Sequence, residues 1–81
     1  MKVAVKLFAA ARELAGGGQV EIELPPGADL AELRQALATR YPKLAALSSR
    51  SLMAVNAEYA SDSTPVTEGD ELALIPPVSG G

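Results

Sequence analysis

The sequence of 81 residues contains neither cysteine nor histidine. Without cysteine the chain cannot form a disulfide, a thiolate nucleophile or a Cys-ligated metal site. Without histidine it lacks the commonest metal ligand and the commonest general base of enzymes. Isolated acids such as Asp70 and Glu71 have no metal-ligand spacing, so no metal site is predicted. Any chemistry must use carboxylates, hydroxyls, amines, Arg, backbone groups or the chain's own ends.

Concentrated charge and long apolar runs are also missing. Ten acidic and seven basic residues give a net charge of -3, and the basic residues form no cluster of the kind that nucleic-acid-binding proteins carry. No apolar run is long enough to cross a bilayer, and the first residues do not have the pattern of a secretory signal. The sequence therefore predicts no nucleic-acid partner, no membrane partner and a cytoplasmic location.

The residues that are present indicate one small globular domain. Hydrophobic residues make up 48% of the chain and charged residues 21%, which is typical of a packed domain rather than a disordered one. A chain of this length has room for a single modest core. We expect one domain over residues 1–76, followed by an extended tail over residues 77–81.

The first third of the chain reads as a strand, a short helix and a second strand. Alternating apolar residues predict strands over Met1–Phe8 and Gln19–Leu24, paired antiparallel. Between them, strong helix formers predict a helix over Ala9–Ala15, anchored by Leu14 and ended by the glycines 16–18.

The rest of the chain indicates one longer helix and further strands. Asp29 has the position of an N-cap before a helix that reaches Tyr41, with apolar residues at helical spacing. Residues 52–55 predict a strand, residues 56–58 a tight turn and residues 71–75 a final strand. This order predicts an α+β fold in which one mixed sheet packs on one main helix.

The last six residues, Pro76-Pro77-Val78-Ser79-Gly80-Gly81, combine rigid prolines with side-chain-free glycines. Fully extended, the segment from Pro77 to Gly81 reaches roughly 16–18 Å, far enough to enter the active site of a neighbouring protein. Taken alone, the two glycines are more typical of a frayed chain end than of a functional motif.

In its wider context the chain resembles the small subunits of molybdopterin synthase, within the sulfur-carrier branch of the ubiquitin-like proteins. The matching residues are Phe8-Ala9, Arg12-Glu13, Leu33-Arg34, Val55-Asn56, Glu68-Gly69-Asp70-Glu71, Pro76-Pro77-Val78 and Gly80-Gly81. The resemblance covers nearly the whole chain. It implies a ubiquitin-like β-grasp fold.

The resemblance also implies a function for the tail. An E1-like adenylating enzyme would use ATP and Mg²⁺ to activate the carboxylate of Gly81, next to Gly80, and a sulfur donor enzyme would convert it to a thiocarboxylate. The carrier would then dock on the large subunit of molybdopterin synthase, in a heterotetramer. There it would donate sulfur to precursor Z, forming the dithiolene in molybdenum cofactor biosynthesis. The chain itself would bind no cofactor and would not be catalytic alone.

The partner-binding residues that we predict lie at both ends of the chain: Phe8, Arg12, Ile75, Pro76, Pro77 and Val78. Alternation places Phe8, Ala73 and Ile75 on the sheet face away from the helix, where exposed apolar side chains mark an interface. Two alternatives stay open, namely that Phe8 and Ile75 are edges of the core and that Arg12 is merely solvated. Family members often carry aromatic residues where this chain has Leu74 and Ile75.

Three other functions are compatible with the sequence. A sulfur carrier of thiamine biosynthesis shares the fold and the terminal glycines, but the helix at residues 9–15 argues against it. A ubiquitin-like modifier would form isopeptide bonds with lysines through the same tail. A β-grasp binding module would have an inert tail.

Overall fold

The computed structural model describes residues 1–77. In chain order its elements are β1 (Lys2–Leu7), α1 (Ala9–Ala15), β2 (Gln19–Glu23), α2 (Leu30–Arg40), a 3₁₀ turn (Pro42–Leu44), α3 (Ala45–Ser48), β3 (Leu52–Val55), β4 (Glu58–Ala60) and β5 (Leu72–Ile75). Each strand and helix predicted from the sequence is present, with bounds that differ by at most about two residues, as is usual for element ends.

The strands form one five-stranded sheet in the order β2-β1-β5-β3-β4. The pairs β1–β2, β3–β4 and β3–β5 are antiparallel, whereas β1 and β5 run parallel at the centre. The sheet is therefore mixed, as predicted. The last strand of the described chain lies between two others, so its position is fixed from both sides.

Helix α2 covers one face of the sheet and supplies much of the core. Asp29 caps it, because its Oδ1 accepts a hydrogen bond from the backbone N–H of Glu32 at 2.9 Å. Leu30, Leu33 and Leu37 recur at helical spacing and are fully buried. They pack with the inward-facing residues of the strands: Val3, Val5, Leu7, Val20, Ile22, Met53, Leu72 and Leu74.

Helix α1 follows its predicted bounds, but its anchor is different from the predicted one. Ala11 is completely buried, whereas Leu14 is 44% exposed, so the prediction that Leu14 anchors the helix is wrong. A small side chain is needed at the contact because α1 begins only two residues after β1 and lies close to the sheet edge. Gly16 ends the helix in the left-handed conformation with φ 76°, and its N–H donates to the carbonyl oxygens of Arg12 and Glu13.

Arg34 connects α2 to the segment that precedes β3. Its guanidinium donates to the backbone oxygens of Ser48 and Ser51 and to Oδ1 of Asp62. Both serines are buried, so their carbonyl groups depend on protein donors. The Arg34 side chain is accordingly only 18% exposed.

Candidate partner-docking surface

The outer face of the sheet, opposite α2, carries the large apolar side chains that the core leaves out. Phe8, Leu52 and Tyr59 are 48%, 57% and 68% exposed, and Ile75 is half-buried beside them. None of the four belongs to the hydrophobic core or packs against it. This outer apolar face therefore has the exposure that marks a protein interaction surface.

Strand pairing brings these residues together from distant parts of the chain. Leu52 lies opposite Ile75 in the antiparallel β3–β5 pair. Phe8 directly follows β1, and it lines a common groove with Ile75 and Tyr59. The structure thus unites the predicted Phe8 and Ile75 on one exposed surface, and the alternative that both are edges of the core is wrong.

A row of residues in register forms the middle of this groove. Lys6 pairs with Ala73 across β1 and β5, Ala73 with Ala54 across β5 and β3, and Ala54 with Tyr59 across β3 and β4. Two alanines thus lie between two long side chains. The resulting groove has a volume of about 350 Å³.

The charged residues of the groove neutralise each other. Lys6 Nζ donates to Glu71 Oε1 at 3.0 Å, and both side chains are half-exposed. In such surroundings the pair contributes at most about 1 kcal/mol to stability. It does, however, leave the groove without a net charge.

The hairpin between β3 and β4 borders the groove and is tied to the start of β5. Asn56 and Ala57 both have positive φ, 52° and 70°, which defines a two-residue turn of type I′. The Asn56 side chain accepts from the N–H of Glu71 at 3.0 Å and donates to Asp70 at 3.2 Å. Hydrogen bonds from the backbone N–H and the hydroxyl of Thr67 lower the pKa of Asp70. Asp70 is thus a turn residue.

The base of the tail continues from β5 beside the docking surface. Pro76 is buried and Pro77 is exposed, so the chain leaves the fold at this point. Because β5 lies between β1 and β3, the exit point is rigidly placed relative to Ile75. The predicted residues Val78, Gly80 and Gly81 lie outside the described residues.

Arg12, the remaining predicted partner-binding residue, is not part of this surface. It is exposed on α1, and its guanidinium carbon lies 3.7 Å from the position that a Cβ on Gly18 would occupy. The depression that it lines is formed by Ala9, Glu13 and the glycines at the end of α1. Arg12 therefore lines a different depression from the one that Phe8 and Ile75 line.

Sequence reasoning placed Ala73 on this face together with Phe8 and Ile75, but it missed Leu52, Tyr59 and Ala54. Alternation along β3 does place Leu52 and Ala54 on the opposite face from Met53, which is buried. That signal identifies no shared surface by itself, because the sequence does not show that β5 lies between β1 and β3.

Residues 1–77 meet the requirements of neither a metal site nor a membrane-spanning helix. No three acidic side chains there are placed to hold a metal ion. Among the helices of these 77 residues, none combines the length and the apolar character needed to span a bilayer.

A mixed sheet wrapped on one main helix, with an apolar outer face beside the strand that leads into the tail, defines a ubiquitin-like β-grasp protein. The sequence matches the ThiS family over residues 5–81. The chain therefore belongs to the ThiS family. The fold class and the family resemblance predicted from the sequence are confirmed.

Individual relatives extend over the whole chain. The molybdopterin synthase sulfur carrier subunit of Arabidopsis thaliana is 40% identical and is matched over 100% of this chain and 84% of that protein. The structure is similar to SAMP1 from Haloferax volcanii, with a TM-score of 0.87, 31% identity and full coverage of both chains. It is also similar to a chain in the complex of subunits 1 and 2 of the molybdopterin-converting factor from Helicobacter pylori 26695, with a TM-score of 0.70, 28% identity and full coverage of both.

Proposed function

We propose that this chain is the sulfur-carrying small subunit of molybdopterin synthase. The observation that carries the proposal is the full-length match to sulfur carrier subunits, which runs through the terminal glycines. The chain would deliver sulfur as a thiocarboxylate on Gly81. This role needs a stable domain, a docking surface and a reactive end, and it needs no catalytic side chain on the carrier.

The terminal carboxylate requires activation before it can accept sulfur. A carboxylate oxygen is a poor leaving group, and transfer of AMP from ATP to that oxygen makes a mixed anhydride and releases pyrophosphate. A persulfide on the donor enzyme would then attack the carbonyl carbon and displace AMP, which gives an acyl disulfide. A thiol would reduce its S–S bond, leaving the thiocarboxylate on Gly81 and a disulfide between that thiol and the donor. The E1-like enzyme would bind the ATP and Mg²⁺.

The outer apolar face would dock the carrier on the large subunit, with two carriers in a heterotetramer. The exposed Phe8 and the half-buried Ile75 would stabilise the complex when a partner removes their apolar surface from water. Their position next to Pro76 would bring the base of the tail close to that partner. The thiocarboxylate would then donate sulfur to precursor Z in the cytoplasm, and the partners would supply the catalytic side chains.

Tail length provides the direct test. Deleting Gly81, or adding one residue after it, shifts the reacting carboxylate by about 3.5 Å, whereas misplacement by about 1 Å can lower a rate ~100-fold. Both variants should melt like the wild type and should form no molybdopterin from precursor Z with the large subunit supplied. Intact-mass spectrometry after incubation with the activating enzyme separates failed activation from failed delivery. Wild-type rates from either variant would exclude this mechanism.

A second candidate function is protein modification. It is favoured by the likeness to proteins described as small archaeal modifiers, with 30% identity and a TM-score of 0.83 for the one from Haloferax volcanii. A modifier would form isopeptide bonds with lysines of other proteins. Affinity purification of the tagged chain from its own cells, followed by tryptic peptide mass spectrometry, would in that case detect lysines that carry residues 51–81 through the Gly81 carbonyl, because Arg50 is the last tryptic site of the chain.

A further inference from the structure

The groove on the outer apolar face is a depression whose floor is made of small side chains and whose rim is made of larger ones. Its floor consists of Ala54 and Ala73, which are neighbours across β3 and β5. Long side chains surround this floor, with Phe8 and Ile75 at one end and Tyr59 across the sheet. A depression of about 350 Å³ at the middle of an exposed apolar surface has the position that hot-spot pockets occupy in protein interfaces.

The charges of the groove select the kind of side chain that fits. Lys6 and Glu71, which line it, form a salt bridge at 3.0 Å. A charged side chain entering the groove would have to break this pair or remain without a partner, and both are unfavourable in an interface. A neutral apolar side chain meets no such cost.

The turn next to the groove contributes to the shape of its wall. Ala57 lines the groove and has a φ of 70°, a conformation that favours glycine over alanine. Glycine is also the preferred residue at this position of a type I′ turn. Compared with a glycine at this position, Ala57 adds backbone strain and supplies a methyl group to the wall of the groove.

We propose that this groove receives one bulky apolar side chain, leucine, methionine or an aromatic residue, from the large subunit of molybdopterin synthase. The inference rests on the proposed function and adds a specificity-determining site to it. Because Ile75 borders the groove and leads into Pro76, the inserted side chain locks the carrier close to the point where the tail enters the partner.

Filling the groove tests the proposal. Ala73→Ile places a strand-compatible side chain in the hole and makes the surface more apolar. Ala4→Ile is the matched control, because Ala4 lies on the outer side of β1, opposite Glu21, and does not line the groove. We expect Ala73→Ile to raise the Kd for the large subunit ~30-fold, as for loss of a hot spot, and Ala4→Ile to leave it nearly unchanged, measured by titration calorimetry. Equal or tighter binding by Ala73→Ile would show general apolar adhesion and overturn the proposal.

A second variant covers the case in which Ala73→Ile does not fold. Ala57→Gly removes one methyl group from the wall, which should raise the Kd about fourfold while the melting temperature rises. Unchanged affinity in this variant would overturn the proposal. Failure of wild-type protein to bind the large subunit would refute the proposed function, and the groove proposal with it. Wild-type binding together with insensitive variants would refute the groove proposal alone.

Discussion

Replacing Arg34 by methionine tests how the fold holds the strand that carries Leu52. Methionine has nearly the length of the arginine stem but cannot donate a hydrogen bond. The change removes the donors to the backbone oxygens of Ser48 and Ser51, which lie directly before β3. It also removes the ion pair with Asp62 at 2.9 Å.

The magnitude follows from the burial of each partner. An unsatisfied buried carbonyl costs about 1–3 kcal/mol. The substitution leaves the Ser51 oxygen without its donor, whereas the Ser48 oxygen still accepts from the backbone N–H of Ser51 at 3.3 Å. Asp62 is 53% exposed, so its ion pair contributes at most about 1 kcal/mol. Arg34 Nε is buried without a hydrogen-bond partner, and its removal offsets part of the loss. We expect a net destabilisation of about 1–3 kcal/mol, a substantial share of the roughly 4–12 kcal/mol available to a domain of this size.

Urea unfolding at neutral pH measures this free energy. Arg40→Met is the matched control on the same helix, because Arg40 is exposed and only stacks over Tyr41, 5.3 Å from the ring centroid, which is worth about 0.5–1 kcal/mol. Arg34→Lys separates charge from geometry, since one ammonium group cannot replace the guanidinium fork. An ordinary surface substitution changes the unfolding free energy by at most about 0.5 kcal/mol. If the value for Arg34→Met lies that close to the wild-type value, Arg34 does not hold the segment before β3 in place.

Three further predictions concern the outer face and its borders. Phe8→Asp and Ile75→Asp should each weaken binding to the large subunit at least ~30-fold and leave the thermal melt nearly unchanged; unfolding would assign either residue to the core. The lowered pKa of Asp70 stabilises the fold above the ordinary carboxylate pKa of 3.8, and this contribution is lost as the pH falls through the lower folded value. The stability difference between wild type and Asp70→Asn, followed by urea unfolding from pH 7 to strongly acidic solution, should therefore shrink with acid, and a constant difference would contradict this cause. Ala57→Gly should raise the unfolding free energy by about 0.5–1 kcal/mol. Relief of the backbone strain stabilises the folded state, and the extra entropy of glycine in the unfolded chain offsets part of that gain. A lower midpoint in a urea titration would show that Ala57 is not strained.

The elements that the sequence predicts well are those whose signals are local. The Asp29 cap and the helical spacing of Leu30, Leu33 and Leu37 need no information from elsewhere in the chain, and all are observed. The alternation of β2 and the positive φ of Gly69, 96°, are equally local. Such signals fix which face of an element is apolar.

The features that the sequence did not predict depend on contacts between distant segments. Leu14 is the larger apolar residue of α1, yet the close approach of the helix to the sheet selects Ala11 for burial. Arg34 lies in a polar part of the helical pattern, but α3 and the chain before β3 enclose it. The groove depends on how β1, β5, β3 and β4 pair and in which register, and the pattern of residues along each strand does not give this register.

The parallel pairing of β1 with β5 explains why the docking surface and the tail act as one unit. Phe8 follows β1 and Ile75 ends β5, and the parallel register brings these two ends to the same edge of the sheet. Since β5 is also held by β3 on its other side, Pro76 cannot shift without breaking two ladders of hydrogen bonds. A partner that binds the outer apolar face therefore receives the tail from a fixed origin, and the residue count after Pro77 alone determines how far the reactive end reaches. Changes in tail length should consequently lower the rate of sulfur delivery at saturating partner. Changes on the docking surface should instead lower the affinity for the partner.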